Sequence, residues 1–351
     1  MASTTTNPTQ DQQPPRPSAA QILSITSYSR ASLSLPVLSL HPKQHDPVRN
    51  TLFRPIGTHR AQTYDLGPQL GRLPFELVSL VCQELDVTSA FRFSHVNRTA
   101  REALASVREF RHLAAHALET LCVLLRTNLG GHVGVGQVYG ALTARECELC
   151  GAFGGFFFLL TARRCCLTCV ASAPEMRVGH VSRVAEEVGV SAGVLERGGR
   201  LPVLHTLPDA RKRIVAVEHA VRVLRECGEG EPEAVVARWP DSLTLRFAAA
   251  TSLPYLDPRE GEAQCGLSCK GCQLAFEADF SDDHLELRDR FYSRAEFMEH
   301  FDECPAAEKL WASSREGAAP VEPQWMGLGR AFTADCGRRR PSFARSERSD
   351  S

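Results

Sequence analysis

Four cysteines in one short stretch, Arg145 to Cys169 (RECELCGAFGGFFFLLTARRCCLTC), constrain this chain more than any other feature. Cys147 and Cys150 form one C-x-x-C pair, Cys166 and Cys169 form another, and fifteen residues separate the pairs. That spacing matches structural zinc sites, in which each pair sits on a tight knuckle and aims two thiolates at one ion. The intervening GAFGGFFFLLTARR suits a returning hairpin, since glycines permit the turn and aromatic residues favour strand. Cys165 competes with Cys166, but only Cys166 keeps the C-x-x-C spacing to Cys169. Four thiolates close the coordination sphere, whereas a catalytic zinc needs an open position and a redox pair wants a βαβ setting. The reading is therefore structural.

The rest of the composition supports metal chemistry over cross-links. The N-terminus MASTTTNPTQDQQPPRPSAA lacks a basic start followed by an apolar h-region, so the expected compartment is reducing, cytoplasmic or nuclear, and disulfides are disfavoured. Thirteen cysteines is a high and odd total for such a setting. No apolar run approaches the roughly 18 residues of a membrane span, so no membrane partner is expected. Lys plus Arg, 40, and Asp plus Glu, 41, nearly cancel, and no global field points to nucleic acid.

A second cluster follows in CGLSCKGCQLAFEADFSDDHLELRDRFYSRAEFMEHFDEC. Cys269 and Cys272 make the knuckle, and His300 and Cys304 lie four residues apart. Ser293 with Glu296 is a capping-box pair, which predicts a helix carrying His300 and Cys304 on one face. Two knuckle cysteines and two helical ligands make a ββα-like finger, with the acidic EADFSDDH as the tip of an extended hairpin and Phe297 and Phe301 packing its core. Cys265 is the alternative ligand. Two structural zinc ions are expected in all.

Between and around the clusters the texture changes several times. Residues 1–64, rich in Ser, Thr, Pro and Gln, read as disordered. Residues 68–127 read as helical: Pro74 suits a first helical turn, apolar residues recur from Leu73 to Leu85 at three- and four-residue spacing, a second helix starts near Thr88 or Ser89, and Asn97 caps a third. Residues 128–172 form the four-cysteine module, and the glycines at 134, 136 and 140 do not match a dinucleotide fingerprint. Residues 173–264 read as a mixed α/β linker region with a helix near 209–225, whose Ile214, Val217, Val221 and Leu224 share a core-facing stripe. Residues 265–312 hold the second cluster. The basic tail, 313–351, reads as disordered, and Arg338 to Arg340 before Pro341-Ser342 suits a kinase site or an import patch only as a weak signal.

Leu73-Pro74-x-Glu76-Leu77, then Val81 and Leu85, then SAFRFSHVNRTAREAL, resembles the F-box, a short helical motif, over about forty residues, 70–110. Phe91 stands where leucine is usual, and the tryptophan often found near the motif's end is absent. The order of F-box, four-cysteine stretch and second cluster resembles F-box-like proteins of filamentous fungi. The resemblance implies an α+β chain: a helical F-box-like segment followed by small zinc-stabilised β-hairpin and ββα modules, with disordered termini. It also implies that Leu73, Pro74, Leu77, Val81 and Leu85 face the Skp-type adaptor of a cullin-RING ubiquitin ligase, the C-terminal region recruiting a protein substrate.

The alternative is a zinc-finger protein that binds nucleic acid or serves transcription. Against it, the finger's own helix, SRAEFMEHFDEC, is acidic where a recognition helix is basic. The sequence contains no nucleophile elbow, P-loop or H-E-x-x-H, so no enzymatic activity is expected.

Overall fold

The structure is a computed structural model that describes residues 18–29, 37, 38, 40, 42–52, 66–195, 201–207, 212–228, 242–315, 317 and 319. Most of the expected C-terminal tail lies outside the described residues, as does most of the expected N-terminal disorder. The architecture is α+β, with many short helices around four small antiparallel sheets among the described residues.

An N-terminal helix α1 (Ala19–Thr26) runs into strand β1 (Ser27–Tyr28), and a second helix, α2 (Asp46–Leu52), follows. Helices α3 (Gly67–Leu70), α4 (Phe75–Gln83), α5 (Val87–Val96), α6 (Arg98–Ser106), α7 (Arg108–His116), α8 (Leu118–Arg126) and α9 (Val135–Thr143) build the helical region. Strands β2 (Phe156–Phe158) and β3 (Arg163–Cys165), helix α10 (Leu167–Ser172), strand β4 (Val178–His180), helices α11 (Val181–Val188) and α12 (Ala192–Leu195), strands β5 (Leu204–His205) and β6 (Arg213–Ala216) and helix α13 (Val217–Cys227) fill the centre. The last part holds α14 (Leu243–Ala248), β7 (Ala250–Ser252), β8 (Tyr255–Leu256), β9 (Ala263–Gln264), β10 (Ser268–Cys269), α15 (Lys270–Ala278), α16 (Asp282–Asp289), α17 (Arg294–Glu303) and α18 (Pro305–Ser313).

The helical start signals act as expected. Pro74 sits at the N-cap of α4, where its missing N–H costs nothing, and the Asn97 side chain accepts from the Ala100 amide at 2.8 Å. Asp86, rather than Thr88 or Ser89, caps α5 by accepting from the Ser89 amide at 2.8 Å. The sheet expected around the first cysteines is present: β2 pairs with β3, and β7 adds to the other edge. All three residues of β2 are buried phenylalanines, the mark of a strand covered on both faces. They join helices α4 to α9 in one continuous core.

Arg164, on β3, bolts that core together. Its Nη1 donates to the carbonyls of Ala141 at 2.8 Å and Pro254 at 3.0 Å, tying α9 and the approach to β8 to the sheet. Burial pulls its pKa down to about 10, and its guanidinium carbon lies 5.8 Å from the Phe153 ring centroid.

The helix expected over 209–225 starts later. Arg213–Ala216 is the middle strand of the β4-β6-β5 sheet, and the helix begins at Val217. Ile214, Val215 and Ala216 are all buried, a run that a two-sided strand satisfies and an amphipathic helix does not. Their faces alternate: Ile214 and Ala216 join the main core, while Val215 joins a smaller one with Val181, Val184, Val221 and Leu224.

The largest departure is at the N-terminus. Within the stretch expected to be disordered, α1 and β1 dock on the second cysteine module, and Val37, Leu40 and Val48 enter the main core. Ser18 and Gln21 form a complete capping box.

Candidate metal centres

The first centre is built from a turn and a strand–helix junction. The Gly151 amide donates to the Cys147 carbonyl at 2.9 Å, and Gly151 adopts φ +76°, which its missing Cβ permits without strain. That turn presents Cys147 and Cys150 together. Opposite it, Cys166 follows β3 and caps α10, its sulfur accepting from the Cys169 amide at 3.4 Å. Glu148 locks the two halves: its amide donates to the Arg164 carbonyl at 3.1 Å, and its carboxylate accepts from the Arg164 amide at 2.9 Å.

These elements bring all four expected sulfurs, of Cys147, Cys150, Cys166 and Cys169, within 4.8 Å of one another. The Cys150 and Cys166 sulfurs lie 3.6 Å apart. A zinc tetrahedron with Zn–S bonds of about 2.3 Å has sulfur–sulfur edges of about 3.8 Å, so the group fits the ion. Cys165 is excluded. It points to the other side of β3, is wholly buried, and its thiol donates to the Phe156 carbonyl at 3.8 Å.

The second centre repeats the strand–knuckle–helix device. Cys269 ends β10 and caps α15, its sulfur accepting from the Cys272 amide at 3.4 Å. Helix α17 begins with the expected capping box of Ser293 and Glu296, carries His300 in its last turn, and ends at Cys304. The four ligand atoms lie within 4.8 Å of one another. The Cys272 sulfur is 3.6 Å from that of Cys304 and 3.4 Å from Nε2 of His300, close to the edges of a tetrahedron built from three thiolates and one imidazole. Cys265 stands outside the group and is disulfide-bonded, contrary to the expectation of free thiols.

The surroundings differ from a ββα finger. The acidic insert is not a hairpin tip, because α15 runs on to Ala278 and α16 follows from Asp282. Ser281 caps α16 by accepting from the His284 amide at 3.4 Å, and Asp282 and Asp283 sit in its first turn, where the helix dipole favours them. The expected core residues Phe297 and Phe301 are buried, joined by Tyr292, Ala307, Trp311 and, from the N-terminus, Ile22.

The donor chemistry also fits a cation. In the first centre a hydrogen bond from Cys166 holds the Cys147 thiol down at about 4, while the same bond pushes Cys166 up and burial raises Cys169 to about 12. In the second, hydrogen bonds from Cys269 and Cys272 pull Cys304 well below the usual thiol range, and those with Cys269 and Cys304 push Cys272 far above it. Metal binding needs the ligating thiols deprotonated, so a divalent ion would offset the burial and neighbour contacts that push Cys166, Cys169 and Cys272 up. Two structural zinc sites follow, one with four cysteines and one with three cysteines and a histidine.

Of the five residues expected to face a partner, Leu73, Pro74, Leu77 and Val81 are exposed. Leu85 is half-buried and packs on the main core. Two further residues on α4, Phe75 and Leu80, are more exposed than Leu73, Leu77 or Val81, at 53% and 54%. The F-box resemblance gave no reason to single these two out, although their apolar character was visible.

No family model, curated protein or solved structure matches this chain.

Proposed function

We propose that the chain is an F-box-like substrate-recognition adaptor, docking on the Skp-type subunit of a cullin-RING ubiquitin ligase through α4 and recruiting a protein substrate through its zinc-stabilised C-terminal region. One observation carries the reading: α4 is apolar on both faces. Val78 and Cys82 point into the core, while Phe75, Leu77, Leu80 and Val81, with Leu73 just ahead of the helix, stay exposed. A helix apolar all round belongs in an interior, and an exposed apolar patch of this kind marks a partner site.

The order of elements supports the same reading, since the helical region precedes both metal centres as in the F-box-like group. The adaptor transfers no ubiquitin itself and acts by raising the local concentration of substrate beside the ligase. A nucleic-acid role finds no support in α17, whose Glu296, Glu299, Asp302 and Glu303 outweigh Arg294. Among the described residues no helix is long and apolar enough to cross a membrane.

Co-purification with a Skp-type adaptor tests the proposal. The parent chain is expected to retain the adaptor, and a chain with Leu73, Pro74 and Leu77 all changed to Ala is expected to lose it. Undiminished retention by that variant, or none by the parent, overturns the assignment.

A further inference from the structure

The second metal centre is the meeting point of a groove, and the groove is occupied by the chain's own N-terminus. Every wall carries a ligand. Strand β10 stops at Cys269, α15 carries Cys272, α17 carries His300, and Cys304 is the joint between α17 and α18.

Residues 18–28 fill this groove in two modes. Strand β1 pairs antiparallel with β10, placing Ser27 opposite the ligand Cys269 and Tyr28 opposite Ser268. Helix α1 lays Ile22 into the cluster formed by Phe297, Phe301, Ala307 and Trp311. Polar contacts fix the register: the Tyr28 hydroxyl donates to Oε1 of Gln273 at 3.1 Å, and Nζ of Lys270 donates to the Ser24 carbonyl at 3.3 Å. The segment mixes strand addition with helix-in-groove docking, two standard modes of peptide recognition.

Neither half of the segment persists alone. An eight-residue helix is too short to be stable in water, and a two-residue strand has no structure without its partner. Among the described residues, the contacts that order it include β10, Lys270, Gln273 and the cluster around Phe297 and Trp311. The walls share an apolar core of Tyr292, Phe297, Phe301, Ala307 and Trp311, and an ion bound by Cys269, Cys272, His300 and Cys304 would add a bond common to all of them.

We propose that the second metal centre gates this surface: loading holds residues 18–28 in the groove, and loss of the ion releases them, uncovering the face around Phe301 and Trp311. The inference rests on the two-zinc reading. Linkage makes the coupling reciprocal, so detaching the segment must weaken the second site by the same factor that emptying the site loosens the segment.

The full-length chain tests this. Elemental analysis comes first and is expected to give two zinc per chain; one or none shows that the zinc reading itself has failed. With two present, amide exchange is followed by mass spectrometry as a chelator removes the metal. Peptides covering 18–28 are expected to lose protection together with 269–304, while the β2–β3 peptides stay protected until the first site empties. Unchanged protection of 18–28 after the second site empties overturns the gate.

The reciprocal arm uses Ile22→Asp, with Tyr28→Phe as a milder variant that removes the hydroxyl bonded to Gln273. Ile22→Asp is expected to weaken one of the two zinc ions about tenfold in equilibrium competition with a chelator, Tyr28→Phe less so, with the other ion unaffected. Equal zinc affinities in parent and both variants overturn the coupling.

Discussion

The Tyr292 hydroxyl lies 3.2 Å from Nδ1 of His300, while Nε2 of the same ring faces the Cys272 sulfur at 3.4 Å. The two rings are also stacked, with centroids 4.5 Å apart and planes 20° from parallel. A metal-bound imidazole uses one nitrogen for the ion and needs a partner for the other, which sets its tautomer and its orientation. Tyr292 supplies that partner and the stacking face together. It is therefore a positioning residue of the second centre, while the antiparallel bridge between Leu267 and Tyr292 holds it beside β10.

Tyr292→Phe keeps the stack and removes the hydroxyl. The expected result is a second zinc bound more weakly by about tenfold, at the low end for loss of an outer-shell partner, with the fold and the first zinc intact. Chelator competition on the full chain measures it. The same measurement on Phe297→Leu, which alters the packing without touching the hydrogen bond, separates orientation from packing.

Cys150→Ser and Cys165→Ser distinguish ligand from neighbour. Cys150 is exposed, so its replacement disturbs little packing, yet it is expected to reduce zinc from two equivalents to one and to lower the unfolding temperature of the central region, because metal-binding energy there is folding energy. Cys165 is buried on the opposite side of β3 and is expected to keep both equivalents while costing about 1–3 kcal/mol for an altered buried donor. Metal content by elemental analysis and chemical denaturation read the two effects apart.

The two sides of α4 predict opposite outcomes. Leu80→Asp places a charge on a residue 54% exposed and is expected to abolish adaptor retention while changing stability by no more than about 0.5 kcal/mol. Leu104→Ala, inside the core on α6, is expected to cost about 2–5 kcal/mol and to leave the exposed face of α4 chemically unchanged. Urea titrations run beside the co-purification assay check both.

What the residues revealed in advance follows from how local each signal is. Cysteine spacing and capping pairs act over a few residues, so both metal clusters, the Asn97 cap and the Ser293–Glu296 box were legible. The docking of α1 and β1 was not, because pairing Ser27 with Cys269 joins residues far apart in the sequence. Only Ser18-x-x-Gln21 ahead of Ile22, Leu23 and Ile25 announced a helix there, inside a stretch whose overall composition suggested disorder. Ile214 to Ala216 was ambiguous in itself: the same apolar residues fit a helical stripe or a buried strand, and the pairing with β4 and β5 decided it. The F-box resemblance implied that Leu85 faces a partner; it follows the C-cap of α4 and is half-buried against the main core.

Two glycines in helices test whether propensity or packing governs a substitution. Alanine exceeds glycine in helix propensity by about 1 kcal/mol, so Gly→Ala inside a helix is stabilising wherever the methyl has room. Gly140, in α9, has open space around a built Cβ, and Gly140→Ala is expected to raise stability by about 0.5–1 kcal/mol. Gly271, in the first turn of α15, is different. A Cβ there would lie 2.5 Å from the carbonyl carbon of Ala306 and from the amide nitrogen of Ala307, and backbone at that distance cannot rotate aside as a side chain can. Overpacking of this kind costs about 1–3 kcal/mol, more than the propensity gain, and here it pries α18 from α15 beside Cys272 and Cys304. Gly271→Ala is therefore expected to lower stability and speed loss of the second zinc while leaving the first in place. Thermal unfolding together with zinc release kinetics checks the pair, and a stabilised, fully loaded Gly271→Ala chain would show that α15 and α18 do not pack this closely.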